Sequence, residues 1–206
     1  MSTELTPDAA LQRLLDGNRR YVDGAGLHAH QDPARRAELA GEQHPFGMVF
    51  GCSDSRVPAE VVFDQGLGDL FVIRNAGHIV DPSVLGSIEF GVEMLGIPLT
   101  VVLGHTSCGA VGAAINAVDT HTTPLGYLRD VVERIAPAVF EARRDPGAGY
   151  EDIVIENVRQ AVKAIREKSA AVDRAIVQGR TAIVGALYNL AEGTVTPVHT
   201  EGGIDL

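Results

Sequence analysis

The sequence predicts an α/β fold: a central, mainly parallel β-sheet flanked by helices, with an N-terminal helical arm packing on a partner subunit. Three observations carry this expectation: short apolar runs of strand length, helical-period segments alternating with them, and capping or turn residues at the joins. A chain of 206 residues can bury a sizeable core in one domain, so residues 1–206 are expected to form a single unit with 1–40 as the arm.

The strand-type runs come at residues 46–50, ending at Gly51-Cys52, then at 70–73, at 98–103, ending at Gly104-His105, and at 181–187. Residues 195–198 are a candidate edge strand. Thr6-Pro7 opens the first helix, with Thr6 as N-cap and Pro7 at the first helical position. Leu11, Leu14, Leu15, Tyr21 and Val22 follow a helical period, and Gly24 stops it. A polar stretch at 26–30 follows, and packing of this helix on its own domain competes with packing on a partner. Asp81-Pro82 opens a helix with an apolar face of Leu85, Ile88, Val92 and Leu95, closed by Gly96. Further helices are expected at 108–117, 125–143 and 150–168, with no internal repeat, low-complexity tract or domain boundary.

Charge and composition narrow the function classes. A formal net charge of −10 opposes non-specific binding of nucleic acid or of anionic membranes. No apolar run approaches the length of a membrane span. The opening MSTELTPDAA has neither a basic nor an apolar leader region, so no signal peptide is read there. With two cysteines only, the chain is expected in a reducing cytoplasm and not on a disulfide framework.

Those two cysteines stand in CSDSR, at Cys52 to Arg56, and in HTSC, at His105 to Cys108. Two thiolates and an imidazole are a soft ligand set suited to zinc, and catalytic zinc takes three protein ligands with a fourth position for water. Both segments follow expected strands, where open α/β sheets bind ligands. Cys108 also opens an expected helix, whose N–H groups and dipole favour a thiolate. Cysteines counted by type are more often inert buried thiols, but the spacing with Asp54, Arg56 and His105 reverses that preference. Asp54 and Arg56 read equally as a structural ion pair bracing the loop. His44, His78 and His121 lack a partner at metal spacing and are expected at the surface or in the core. Gly66-Leu67-Gly68 resembles a piece of a dinucleotide loop but precedes a strand, which weakens that reading.

The stretch GCSDSRVPAEVVFDQGLGDLFVIRNAGH (51–78), followed by VVLGHTSCGAV (101–111), closely resembles the β-class carbonic anhydrases. The late segment TAIVGALYNLAEGTVTPV (181–198) is similar to that family's closing strands. The resemblance implies one Zn2+ per chain on Cys52, His105 and Cys108, with Asp54 and Arg56 as a catalytic dyad. It implies reversible hydration of carbon dioxide to bicarbonate by a zinc-activated hydroxide that Asp54 positions. It places the substrate near Phe71 and Phe90, with Gln43 donating from a neighbouring subunit, and implies a homodimer or homotetramer. In some members the corresponding aspartate binds zinc itself, so a pH-linked closed state with Asp54 as fourth ligand is also implied. Certain bacterial members carry an inhibitory bicarbonate pocket with a tryptophan. This chain has none, Val49 stands in its place, and Arg74 and Tyr188 are the candidate remnants. His78 is implied as a candidate proton shuttle by its position near the family's active-site loop. Two other functions compete: a related zinc hydrolase of another small cumulated substrate, and a non-catalytic zinc-binding protein.

Overall fold

The computed structural model describes residues 5–204. The first four residues of the expected arm and the last two of the expected 1–206 unit lie outside the described residues. Among the described residues a five-stranded sheet has the order β2-β1-β3-β4-β5. Its strands are β1 (Gly47–Cys52), β2 (Leu70–Asn75), β3 (Leu99–His105), β4 (Ala182–Tyr188) and β5 (Val195–Glu201). β2, β1, β3 and β4 run parallel, and β5 returns antiparallel at one edge. The expected strands are all present. β1, β2 and β3 each run two residues further at the carboxyl end than their apolar runs, which makes Cys52 and His105 strand residues.

Helices cover both faces because the central strands are apolar on both sides. On one face α1 (Pro7–Val22) and α3 (Ala59–Val62) bury Leu14, Ala10 and Phe63 against Val49, Val101, Leu103 and Val184. On the other, α4 (Pro82–Glu89), α7 (Tyr150–Lys168) and α8 (Ala170–Val177) bury Ile88, Val158, Val162 and Ile176 against Met48, Phe50, Val102 and Ile183. A third cluster lies beyond the carboxyl ends of the strands. There α5 (Gly109–Thr120) and α6 (Leu128–Ala142) pack Val111, Ile135 and Val139 around Cys52 and Cys108.

The inner face of α1 is spent on its own domain. Thr6 caps it, accepting from Ala9 N–H. Asn18, buried in the same face, donates to the carbonyls of Val62 and Gly193 and accepts from Val195 N–H, so one amide ties α1 to both α3 and β5. Gly17 is where α1 crosses α3; a Cβ there would drive into the carbonyl oxygen of Phe63.

Residues 24–32, together with the short α2 (Pro33–Glu38), form a strap held by two buried carboxylates. Asp64 accepts from Arg20 Nε and from the N–H groups of Leu27 and His28. Asp69 accepts from His30 Nδ1 at 2.8 Å and from Gly66 N–H at 2.9 Å. The glycines at 66 and 68 serve this strap and no dinucleotide: Leu67 N–H donates to His30, and a Cβ at Gly66 would strike the carbonyl of Ala29.

Replacing Gly17 with alanine is expected to lower unfolding stability by about 2 kcal/mol, because the backbone it meets cannot rotate away. Urea unfolding followed by circular dichroism checks this; a midpoint equal to that of the unaltered chain would refute the close-crossing account.

Candidate metal centre

β1 and β3 lie side by side, with Gly51 opposite Leu103, so Cys52 and His105 emerge together at the carboxyl edge of the sheet. Cys108 reaches the same point through a sharp turn. Ser107 takes a left-handed φ of 55°, and Cys108 becomes the residue that caps α5. The two sulfurs and a ring nitrogen of His105 all fall within 4.8 Å of one another. All three residues are buried, His105 completely.

Each donor is fixed from behind. His105 Nδ1 lies 2.9 Å from the Thr106 carbonyl. A carbonyl only accepts, so Nδ1 carries the proton and Nε2 presents a lone pair. That Nε2 is buried with no hydrogen-bond partner. Backbone N–H groups favour both thiolates: those of Gly77 and Asp54 lower the pKa of Cys52, and those of Ala110 and Val111, at the start of α5, act the same way on Cys108. The Tyr150 hydroxyl donates to the Cys108 carbonyl at 2.5 Å, tying α7 to the turn.

Protonation follows from this packing. The hydrogen bond with Cys108 pulls the Cys52 thiol far down, and the same bond pushes Cys108 up. One proton thus leaves the pair easily, and the second needs a cation to replace it. Burial works against a charged His105, but the neighbouring Cys52 and the Thr106 carbonyl outweigh burial and raise its pKa.

The set fits a metal ion on its own chemistry. An orphaned buried imidazole nitrogen faces two thiols that are free rather than bridged. Two sulfurs and one nitrogen suit a soft tetrahedral ion with one position left open. Among the described residues no other trio of such donors converges.

Asp54 stands at the edge of this cluster, its Oδ2 3.9 Å from His105 Nε2. Arg56 grips it three ways: Nη2 to Oδ2 at 2.7 Å, Nε to Oδ1 at 2.9 Å, and backbone N–H to Oδ1 at 2.9 Å. This fork holds the Asp54 carboxyl well below the usual carboxylate range. Arg56 Nη2 also reaches the Ser107 carbonyl at 3.3 Å, which links the two motif loops.

The carbonic anhydrase family profile matches residues 47–195. The chain belongs to the β-class carbonic anhydrase family. "Carbonic anhydrase 2" of Mycobacterium tuberculosis is 49% identical over 187 residues, 91% of this chain and 90% of that protein. The β-carbonic anhydrase of Coccomyxa, solved with acetazolamide, superposes with a TM-score of 0.73 at 26% identity, over 93% of this chain and 88% of that one. One of two tetrameric β-carbonic anhydrases from Sordaria macrospora gives 0.72 at 25% identity, over 91% and 96%.

The other residues singled out from this family's pattern fall elsewhere. Phe71 and Phe90 stack on each other with ring centroids 6.2 Å apart, but Phe71 is the second residue of β2, near the amino end of the strand. Gln43 is exposed and precedes β1. Phe71, with Phe90 stacked on it, thus lies toward the amino ends of the strands, whereas Cys52 lies at the carboxyl end of β1. His44 pairs with Glu42 at the surface and His121 ends α5, both apart from the donor trio. His78 does not fit a shuttle: it is buried, its Nε2–H donates to the Leu103 carbonyl, and burial lowers its pKa. The remnants of a bicarbonate pocket are committed too. Arg74 bonds backbone carbonyls, the Tyr188 hydroxyl meets that of Tyr21 at 3.3 Å, and Val49 is in the core. Sequence reading missed Tyr150, because nothing in a helix-opening tyrosine announces a contact 42 residues back along the chain.

Tyr150→Phe should weaken metal binding about tenfold by freeing the Cys108 turn. Competition with a chromophoric chelator measures it, and affinity equal to that of the unaltered chain would remove Tyr150 from the site's support.

Proposed function

We propose that this chain catalyses the reversible hydration of carbon dioxide to bicarbonate and a proton, using one zinc ion held by Cys52 Sγ, His105 Nε2 and Cys108 Sγ. The observation that carries the reading is the buried donor trio with the Arg56-held Asp54 carboxylate at its open side. Zinc, when bound, supplies Lewis-acid activation of a water at neutral pH. Cys52 and Cys108 bring two negative charges, which temper that acidification relative to neutral imidazoles.

Asp54 stays ionised because Arg56 occupies both its oxygens. An ionised carboxylate only accepts hydrogen bonds. Its role is to accept one from the attacking oxygen and so aim that oxygen's lone pair at the substrate carbon. Held so far below the usual range, it is too weak a base to take a proton from free water. The reading applies to the arrangement with Asp54 on Arg56. A pH-linked closed state, with Asp54 on zinc, would forfeit all three bonds from Arg56, and no observation favours it.

Gln43, Phe71 and Phe90 sit too far from their own Cys52 to line its pocket, so we assign them to the site of a second copy. β2 is a sheet edge, and Phe90 and Met94 beside it are 45% and 72% exposed, which suits burial against another chain. A homodimer or homotetramer follows, in line with the tetrameric Sordaria relatives. Within the described part of the 1–40 arm, Tyr21, Val22 and Leu27 are exposed and suit contact with such a partner. The unbridged thiols fit a reducing cytoplasm. No described helix is long and apolar enough to cross a membrane, and the charge of −10 supports no nucleic-acid role.

Stopped-flow hydration with a pH indicator, from about pH 6.5 to 9, tests the reading: turnover should rise with pH. Stripping zinc with a chelator should abolish turnover, and adding one equivalent should restore it. Stoichiometric zinc without turnover at any pH would instead mean another cumulated substrate or a non-catalytic zinc protein. Asp54→Asn should cost roughly a hundredfold or more in kcat while leaving circular dichroism unchanged. Unchanged turnover in that variant would sink the role given to Asp54.

A further inference from the structure

Arg56 holds the carboxylate of Asp54, but the backbone from which Asp54 springs needs its own support. After Cys52 the chain leaves β1, and Ser53 N–H bonds to Asn75 as the last link to β2. Arg74, opposite Gly51 in the register, then reaches across from the edge strand. Its Nε donates to the Cys52 carbonyl at 2.8 Å and its Nη2 to the Asp54 carbonyl at 2.6 Å. The Asp54 carbonyl also receives Val57 N–H at 3.1 Å, closing the turn that presents Arg56.

One planar guanidinium therefore spans the first metal donor and the residue that aims the nucleophile. Rigid planarity makes this a spacer: the two carbonyls must keep the separation of the two nitrogens. Among the described residues Arg74 has no carboxylate partner, so nothing competes for its donors. The side chain is exposed, and its bond to the Asp54 carbonyl lies at the surface, so its loss would cost the fold little.

We propose that Arg74 is a positioning residue, acting through Cys52 and Asp54 and not on the substrate, that fixes the distance between the metal and the nucleophile-aiming carboxylate. The proposal rests on the hydration reading above. Lysine carries the same charge but a single point of donation, so it can hold one carbonyl and not the spacing.

The test compares the zinc-loaded wild type with Arg74→Ala and Arg74→Lys, and adds amide hydrogen exchange on the metal-free proteins. Arg74→Ala should keep full zinc stoichiometry and circular dichroism, lose about tenfold or more in kcat with KM little changed, and exchange the Arg56 and Val57 amides about tenfold faster. Arg74→Lys should regain part of both. Wild-type kcat and wild-type exchange in Arg74→Ala would overturn the proposal. Should Arg74→Ala fail to fold or to hold zinc, Arg74→Lys decides: an intermediate kcat with intact circular dichroism supports the spacer, and a wild-type kcat refutes it. If the wild type itself shows no hydration, the hydration reading falls, and exchange at Arg56 and Val57 still reports whether Arg74 holds the loop.

Discussion

Parallel hydrogen bonding between β1 and β3 brings two remote segments to end at the same level, and the metal centre exists only because of it. Neither strand carries more than part of the donor set: Cys52 closes one, His105 closes the other, and Cys108 follows after a turn. Burying two thiols and an imidazole beside Val111, Ile135 and Val139 is costly unless each polar atom finds a partner. Within the chain Nδ1 of His105 finds one and Nε2 does not. A cation would satisfy that nitrogen and take the place of the proton that the second thiol otherwise keeps.

Support of the site is divided by type of group. The metal donors are held largely by backbone: the Thr106 carbonyl orients His105, β1 places Cys52, and the turn before α5 places Cys108. The carboxylate is steered by a side chain, the Arg56 fork. Backbone steering survives most substitutions, whereas the fork depends on one residue's planar geometry.

Much of this was legible because strand-end placement and donor spacing are local properties of the chain. Apolar runs marked every strand, Asp81-Pro82 marked the start of α4, and the two motifs marked all three metal-type donors. What escaped were contacts made through space. Tyr150 meets Cys108 because α7 lies over α5's start, and Arg74 meets Cys52 because β2 is β1's neighbour; neither leaves a periodic trace. The short helices α2 and α3, and α8 directly after α7, escaped for a different reason. Four to eight residues give too little periodicity to separate a helix from a turn. The family pattern assigned Gln43, Phe71 and Phe90 to the substrate, and only the strand direction shows Phe71, with Phe90 stacked on it, at the opposite end of the strands from Cys52.

The strap at 24–32 runs over the loop at 64–69 and leads through α2 toward Gln43 and the start of β1. Its anchorage is electrostatic, two buried carboxylates gathering N–H groups and an arginine, and owes little to apolar packing. The anchors share no hydrogen bond with Cys52, Asp54, His105 or Cys108. The strap and the reacting centre are therefore held by separate sets of hydrogen bonds. Substitution at Asp64, Asp69 or His30 would loosen the strap without removing a hydrogen bond from the metal centre.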